Sequence, residues 1–115
     1  TKLDILLAMN EPSYDKFIGQ VRDGGVVVVN TSLMSARSFP KNVTVYGVAA
    51  TDRANALENG RAANLVMLGA MMKATQLIDP ETFGAGLEAY FSKKGHGAPK
   101  NLLCYQIGLE ETVKL

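Results

Sequence analysis

The sequence predicts an α/β protein built on a mostly parallel sheet, and three observations predict it. Val26-Val27-Val28-Val29 places four β-branched residues in a row, the composition of a strand covered on both faces. Two further apolar runs, Leu3 to Met9 and Val43 to Val48, read as strands before and after it. Between the first two runs, Tyr14, Phe17, Ile18 and Val21 recur at three- and four-residue spacing, one face of an amphipathic helix. Strand, helix, strand in that order implies a right-handed parallel crossover.

Taken in order, Asn10-Glu11-Pro12-Ser13 supplies cap-type residues and a proline suited to a first helical turn. The helix over Tyr14 to Val21 is expected to end at Asp23-Gly24-Gly25. Asn30-Thr31-Ser32 closes the valine strand. The link from Ser32 to Asn42 is short for a helical crossover, which leaves the direction of the third strand open. Thr51-Asp52 starts a short helix to Glu58, and Asn59-Gly60 breaks it. A long helix is expected from Arg61 to Ile78. Asp79 caps another, with Pro80 at its first position and Gly84-Ala85-Gly86 inside it. Gly95 to Pro99 is a loop, and a last helix runs from Lys100 to Val113.

With 115 residues, the chain is read as a single domain, 1–115. A net charge of +1 without a basic face argues against nucleic acid, and an aromatic content of 7% without tryptophan argues against a base-stacking platform. The apolar runs are too short to span a bilayer, so no membrane partner is expected. One cysteine, Cys104, permits neither an internal disulfide nor a multi-cysteine metal site, and a reducing, cytoplasmic setting fits best.

Ligands of open α/β sheets gather beyond the carboxyl ends of the strands. Here those ends carry Asn10, Glu11, Asn30, Thr31, Ser32 and Thr51, an expected rim for ligand or partner. The alternative is that these side chains simply cap the helices and turns that follow. No Gly-rich phosphate loop follows a strand, because Gly24-Gly25 precedes one. His96 lies between glycines near Lys93, Lys94 and Lys100 and reads as part of a solvated basic loop. Cys104, beside Leu102, Leu103 and Tyr105, reads as a small buried hydrophobe. No catalytic residue and no metal ligand set can be assembled.

The helix from Arg61 to Ile78 stands out. At about 100° per residue, Val66, Ala70, Ala63, Met67 and Met71 fall in one apolar arc and Leu65, Leu68 and Met72 in another. Together they span about 260° of the circle, well beyond the roughly 100° that one sheet contact needs. One arc is expected to pack on the chain's own sheet. The other is covered either by neighbouring helices of the same domain or by a partner subunit. The expected subunit interface comprises Arg61, Asn64, Met67, Met71 and Met72.

Four segments, in order, resemble the gamma subunit of 2-oxoacid:ferredoxin oxidoreductases: Leu6 to Phe17, Gly24-Gly25 through Leu33, Val45 to Thr51, and above all Arg61-Ala62-Ala63-Asn64-Leu65-Val66-Met67-Leu68-Gly69-Ala70. The resemblance implies a Rossmann-like subunit of an enzyme that oxidatively decarboxylates a 2-oxoacid to an acyl-CoA. It implies thiamine diphosphate, Mg2+, iron–sulfur clusters and coenzyme A in the assembled enzyme, none of them bound by this chain alone. It implies alpha, beta and ferredoxin-like subunits as partners and ferredoxin as electron acceptor. The gamma unit packs against the others and is associated with closing over coenzyme A. The family's Gly-rich opening segment has no counterpart before Leu3, so the chain is expected to be the C-terminal portion of such a unit. The family often has proline where Ala49 stands, and Leu-Gly-Asn where Leu57-Glu58-Asn59 stands. A stand-alone small-ligand module using the strand-end rim and a homo-oligomeric structural domain are the competing readings.

Overall fold

The computed structural model describes residues 2–94 and 98–115, with the side chains of all of these except 92–94 and 98. The elements are β1 (Leu3–Ala8), α1 (Glu11–Phe17), β2 (Val21–Asn30), β3 (Thr44–Val48), α2 (Ala50–Ala56), α3 (Ala63–Thr75), α4 (Pro80–Lys94), α5 (Ala98–Glu111) and β4 (Val113–Lys114). Sheet order follows chain order, β1-β2-β3-β4. β1, β2 and β3 are mutually parallel, and β4 joins β3 antiparallel. The expected α/β fold with a mostly parallel sheet is therefore the one observed, with an antiparallel edge that the sequence did not announce.

The direction of β3 is decided by residues 31–43. They make the crossover from β2 without an α-helix, as a 3-10 turn at Thr31–Leu33 and then an irregular strap. A dozen or so residues suffice for a parallel return when they run straight across one face of the sheet.

Several boundaries differ from expectation, each for a local reason. α1 starts at Glu11, not Tyr14, because Asn10 caps it and Pro12 fits its first turn. It stops at Phe17 in a 3-10 turn, and Val21 opens β2 opposite Leu3 instead of ending a helix. Asp23-Gly24-Gly25 lies within β2, where Leu3 pairs with Val21 but Ile5 pairs with Val26. The surplus residues bulge out, and Gly24 takes φ 79°, a left-handed conformation that suits glycine. α3 begins after a 3-10 turn at Gly60–Ala62 and ends at Gln76, itself left-handed at φ 52°. Leu77 and Ile78 thus leave the helix and are exposed. Asp79 caps α4 as expected, its Oδ2 accepting from the Thr82 backbone N–H at 3.0 Å and from its hydroxyl at 2.8 Å. α5 starts two residues before Lys100, and Val113 belongs to β4. His96 lies outside the described residues.

Side chains alternate across the sheet and build two cores. On one face Val28 and Val48 meet Ala50 and Ala54 of α2, Val66, Met67 and Ala70 of α3, and Cys104 and Ile107 of α5. On the other, Leu6, Ala8, Val27, Val29 and Val45 meet Tyr14 of α1, with Met34 and Phe39 of the strap packed at the margin.

α3 is the hinge of the first core. It rests on β2 and β3 and lies along α5. The two helices touch backbone to backbone: a Cβ at Gly69 would collide with the Tyr105 carbonyl oxygen, and one at Gly108 with the Val66 carbonyl oxygen. The second apolar arc is covered only in part: Met72 is buried, while Leu65 and Leu68 stay half-buried. Met67 is 1% exposed and Met72 3% exposed. Met67 is enclosed by the core that the sheet, α2 and α5 build around α3.

Candidate functional site

Because β1, β2 and β3 run parallel, their carboxyl ends share one rim, as the sequence analysis expected. The structure brings Asn30, Ser32 and Thr51 together there. Asn30 ends β2 and is fully buried. Its Oδ1 accepts from the backbone N–H of Ala50 at 3.0 Å, of Ser32 at 3.3 Å and of Thr51 at 3.4 Å, while its Nδ2 donates to Thr51 Oγ1 at 2.8 Å. Ser32 Oγ accepts from the Asp52 N–H at 3.0 Å. Ala49 offers α2 no side-chain cap, so two residues from the end of β2 cap it across space. Asn10 does the same locally for α1, accepting from the Ser13 N–H at 3.0 Å.

Glu11 sits apart, on the α1 side of the rim, and fastens the strap. Its Oε1 accepts from Ser35 Oγ at 2.6 Å and from the Ser35 N–H at 3.1 Å, and Arg37 Nη1 approaches to 3.9 Å. These bonds, with Arg37 adding to them, hold the Glu11 carboxyl below the usual carboxylate range. Arg37 also pairs with Asp15 at 3.0 Å and lies 4.5 Å above the Tyr14 ring. Phe39 meets the same ring edge-on at 5.9 Å between centroids. Burial pushes the Tyr14 phenol above its ordinary value, with Arg37 opposing and Asp15 assisting.

Behind the strap, next to the rim, is an apolar cleft of ≈ 560 Å³ lined by Val29, Thr31, Met34, Phe39 and Leu115, with Ser35 and Arg37 at its polar side. Thr31 thus faces the cleft instead of joining the Asn30 network. Ser35, Arg37, Phe39 and Leu115 were not singled out from the sequence. The strap has no period to read, and only the mixture of one arginine with an aromatic in an otherwise small-residue link hinted at a fastened segment.

The arrangement holds segments in place. The polar atoms of Asn10, Glu11, Asn30 and Ser32 described above all bond within the fold. Cys104 is fully buried and burial pushes its thiol above the ordinary value, with Asn59 opposing, so it is no ready thiolate. Among the described residues no cluster of three His, Cys, Asp or Glu could hold a metal ion, and no helix is long and apolar enough to cross a membrane. Of the residues expected at a subunit interface, Arg61 and Asn64 are exposed and Met71 is half-buried, whereas Met67 and Met72 lie inside the chain's own core.

Comparison with known proteins follows the same course from strand to helix. A sequence-family model described as pyruvate ferredoxin/flavodoxin oxidoreductase matches residues 1–111. The ketoisovalerate oxidoreductase subunit VorA of Methanothermobacter marburgensis is 37% identical over 108 residues, which make up 93% of this chain and 22% of that protein. The 2-oxoglutarate synthase subunit KorC of Methanocaldococcus jannaschii is 32% identical over 116 residues, 99% of this chain and 61% of that protein. The chain thus spans about a fifth of one curated relative and about three-fifths of the other. Among solved structures, the gamma subunit of a keto/oxoacid ferredoxin oxidoreductase from Geobacter sulfurreducens PCA superposes with a TM-score of 0.81 at 24% identity, covering 96% of this chain and 62% of that one. The 2-oxoglutarate:ferredoxin oxidoreductase from Magnetococcus marinus, solved with 2-oxoglutarate, coenzyme A and succinyl-CoA bound, also gives 0.81, at 23% identity over 95% of this chain and 19% of that one. Both structural matches attest to the fold.

Proposed function

The chain belongs to the pyruvate ferredoxin/flavodoxin oxidoreductase family, and from that premise we propose that it acts within the gamma unit of a multi-subunit 2-oxoacid:ferredoxin oxidoreductase, an assembly part without catalytic residues of its own. One observation carries this reading. The family match runs through the whole fold, yet the polar side chains at the strand ends are consumed in capping α1 and α2. Such a rim is a rigid wall for a neighbour, not a set of reacting groups.

Thiamine diphosphate with Mg2+ would supply the carbanion chemistry of decarboxylation and the iron–sulfur clusters the electron path to ferredoxin. Clusters are held by several cysteine thiolates, and this chain has one buried cysteine, so those groups are assigned to the alpha, beta and ferredoxin-like subunits. What this chain offers is the apolar cleft beside the rim. Val29, Met34 and Leu115 would pack on an aliphatic arm, and the Thr31 hydroxyl would orient it, which supports assigning the coenzyme A side of the reaction to this cleft. That assignment draws support from the coenzyme A bound in the Magnetococcus marinus enzyme, 19% of which superposes on this chain. Of the expected interface residues, Arg61, Asn64 and Met71 are the ones left to meet a partner. A reducing, cytoplasmic setting accompanies the reading.

The test is co-expression with the alpha, beta and ferredoxin-like subunits encoded in the same genome, followed by assay of 2-oxoacid-dependent ferredoxin reduction. The chain is expected to co-purify in fixed stoichiometry, and Thr31→Arg, which fills the cleft, to raise the KM for coenzyme A while sparing that for the 2-oxoacid. A chain that stays monomeric and binds coenzyme A unaided would favour the small-ligand module, the reading that the ≈ 560 Å³ cleft also permits.

A further inference from the structure

A second groove, ≈ 690 Å³, runs between the end of α3, the start of α4 and the outer side of α5, away from the strand-end rim. Apolar residues line part of it, Pro80, Gly84 and Ala85 from α4 and Leu102, Tyr105 and Leu109 from α5, interleaved with Gln76 and Gln106. Tyr105 is buried and spent, its hydroxyl donating to the Pro80 carbonyl at 2.9 Å and its ring lying 5.7 Å from that of Phe83. Tyr105 is thus held in place with its hydroxyl satisfied. The margin carries three carboxylates, Asp79, Glu81 and Glu88, against one ammonium, Lys73. Asp79 is used by Thr82, but Glu81 and Glu88 make no ion pair among the described residues. In the chain between the lining residues Gln76 and Asp79, Leu77 and Ile78 stand 67% and 48% exposed.

We propose that this groove docks a basic, amphipathic segment of a partner subunit, whose apolar side chains pack on the apolar part of the lining and join Leu77 and Ile78 while its lysines or arginines meet Glu81 and Glu88. This inference rests on the subunit reading and adds a partner surface that the reading did not name. Exposed glutamates alone are an ordinary solvated face. What singles these out is that they border a groove partly lined by apolar residues, flanked in the chain by two exposed aliphatic ones, so that an apolar patch lies beside a carboxylate margin. The sign of the charge selects the occupant. A second copy docked groove to groove would set like charges together and an acidic segment would be repelled, whereas a cationic segment gains both attraction and faster encounter.

The test uses the complex purified after co-expression. Zero-length carbodiimide coupling, read by mass spectrometry, is expected to join Glu81 or Glu88 to a lysine of another subunit within a segment rich in Lys, Arg and aliphatic residues. The joint replacement Glu81→Gln with Glu88→Gln removes those links. The joint reversal Glu81→Lys with Glu88→Lys should weaken retention of the chain by about tenfold, more at low salt than at high, with the far-ultraviolet dichroism of the isolated chain unchanged. Should both glutamates label as readily in the complex as in the isolated chain, the groove is open and the inference falls while the subunit reading stands. Links to a second copy, or cover by an acidic or uncharged segment, would overturn the stated partner. A chain that never enters the complex removes both readings.

Discussion

The two faces of the sheet are finished in different ways. On one, α2, α3 and α5 close over Val28 and Val48, and α3 meets α5 through paired glycines until no room remains. On the other, α1 and an irregular strap cover Val27, Val29 and Val45 and leave an apolar cleft at the strand ends. The tight face is where a surplus of apolar surface was most visible in the sequence, and the loose face is where it was least visible. The amount of oil on a helix therefore measures how many neighbours it has, not whether those neighbours belong to another chain.

The sharpest way to break this contrast is to add volume to each face. Gly108→Leu would drive a branched side chain into the Val66 carbonyl and is expected to destabilise the chain by about 3 kcal/mol or more, since backbone cannot yield as a side chain does. Ala36→Leu, in the exposed strap beside the cleft, is expected to stay within about 0.5 kcal/mol of the parent. Urea denaturation of both variants measures the difference. Equal effects would mean that the two faces are packed alike.

Next in size is the joint between the faces. Asn30→Ala should cost about 2–3 kcal/mol in the same measurement, because it leaves the first N–H groups of α2 and the Thr51 hydroxyl without their partner in a fully buried position. Thr51→Val removes only the hydroxyl that Asn30 Nδ2 reaches, and is expected to cost about 1 kcal/mol. A smaller loss at Asn30 than at Thr51 would contradict the hub role of the asparagine.

These residues also show what could be read in advance. The valine run, the Asp79-Pro80 helix start and the strand-end position of Asn30, Ser32 and Thr51 were legible because each follows from a local rule of propensity or capping. The bulge at Gly24 was not, because glycine after a helical period reads equally as a helix stop; only the register with β1 distinguishes the two. β4 was invisible for a related reason: two residues carry no alternation, and Val113 is a strand residue only because β3 offers an edge beside it. The burial of Met67 and Met72 within the chain was not legible either, because long-range packing such as α3 against α5 leaves no clue in residues so far apart in sequence. Within the site, the capping bonds of Asn10, Asn30 and Ser32 follow the local rule the sequence offered, whereas the cleft emerged from strap residues without any pattern.

On the loose face the strap is fastened from outside, so smaller effects are expected there. Arg37→Ala removes an ion pair with Asp15 and a cation over the Tyr14 ring, both solvent-facing, and should lower stability by less than about 1 kcal/mol. Its signature is local: faster amide exchange across residues 34–40, with β2 and β3 unchanged. If exchange in the strap does not alter, Phe39 against Tyr14 holds the segment unaided.

The mildest probe is acid. Glu11 is held below the ordinary carboxyl value of 4.5 chiefly by the Ser35 hydroxyl, then by the Ser35 N–H and Arg37. A carboxylate with a depressed folded value contributes in full above the unfolded value and loses its contribution as pH falls through the folded one. The latch should therefore be fully closed from neutrality down to about pH 4.5 and release only below it. The Ser35 amide proton, which donates to Glu11, is the reporter. Its chemical shift should titrate with the Glu11 carboxyl in the parent and stay flat in Glu11→Gln, whose amide oxygen can still accept but does not ionise. A Ser35 amide that titrates at or above the ordinary carboxyl value would mean that Glu11 gains nothing from the strap, and the loose face would then be held by its aromatic pair and Arg37 alone.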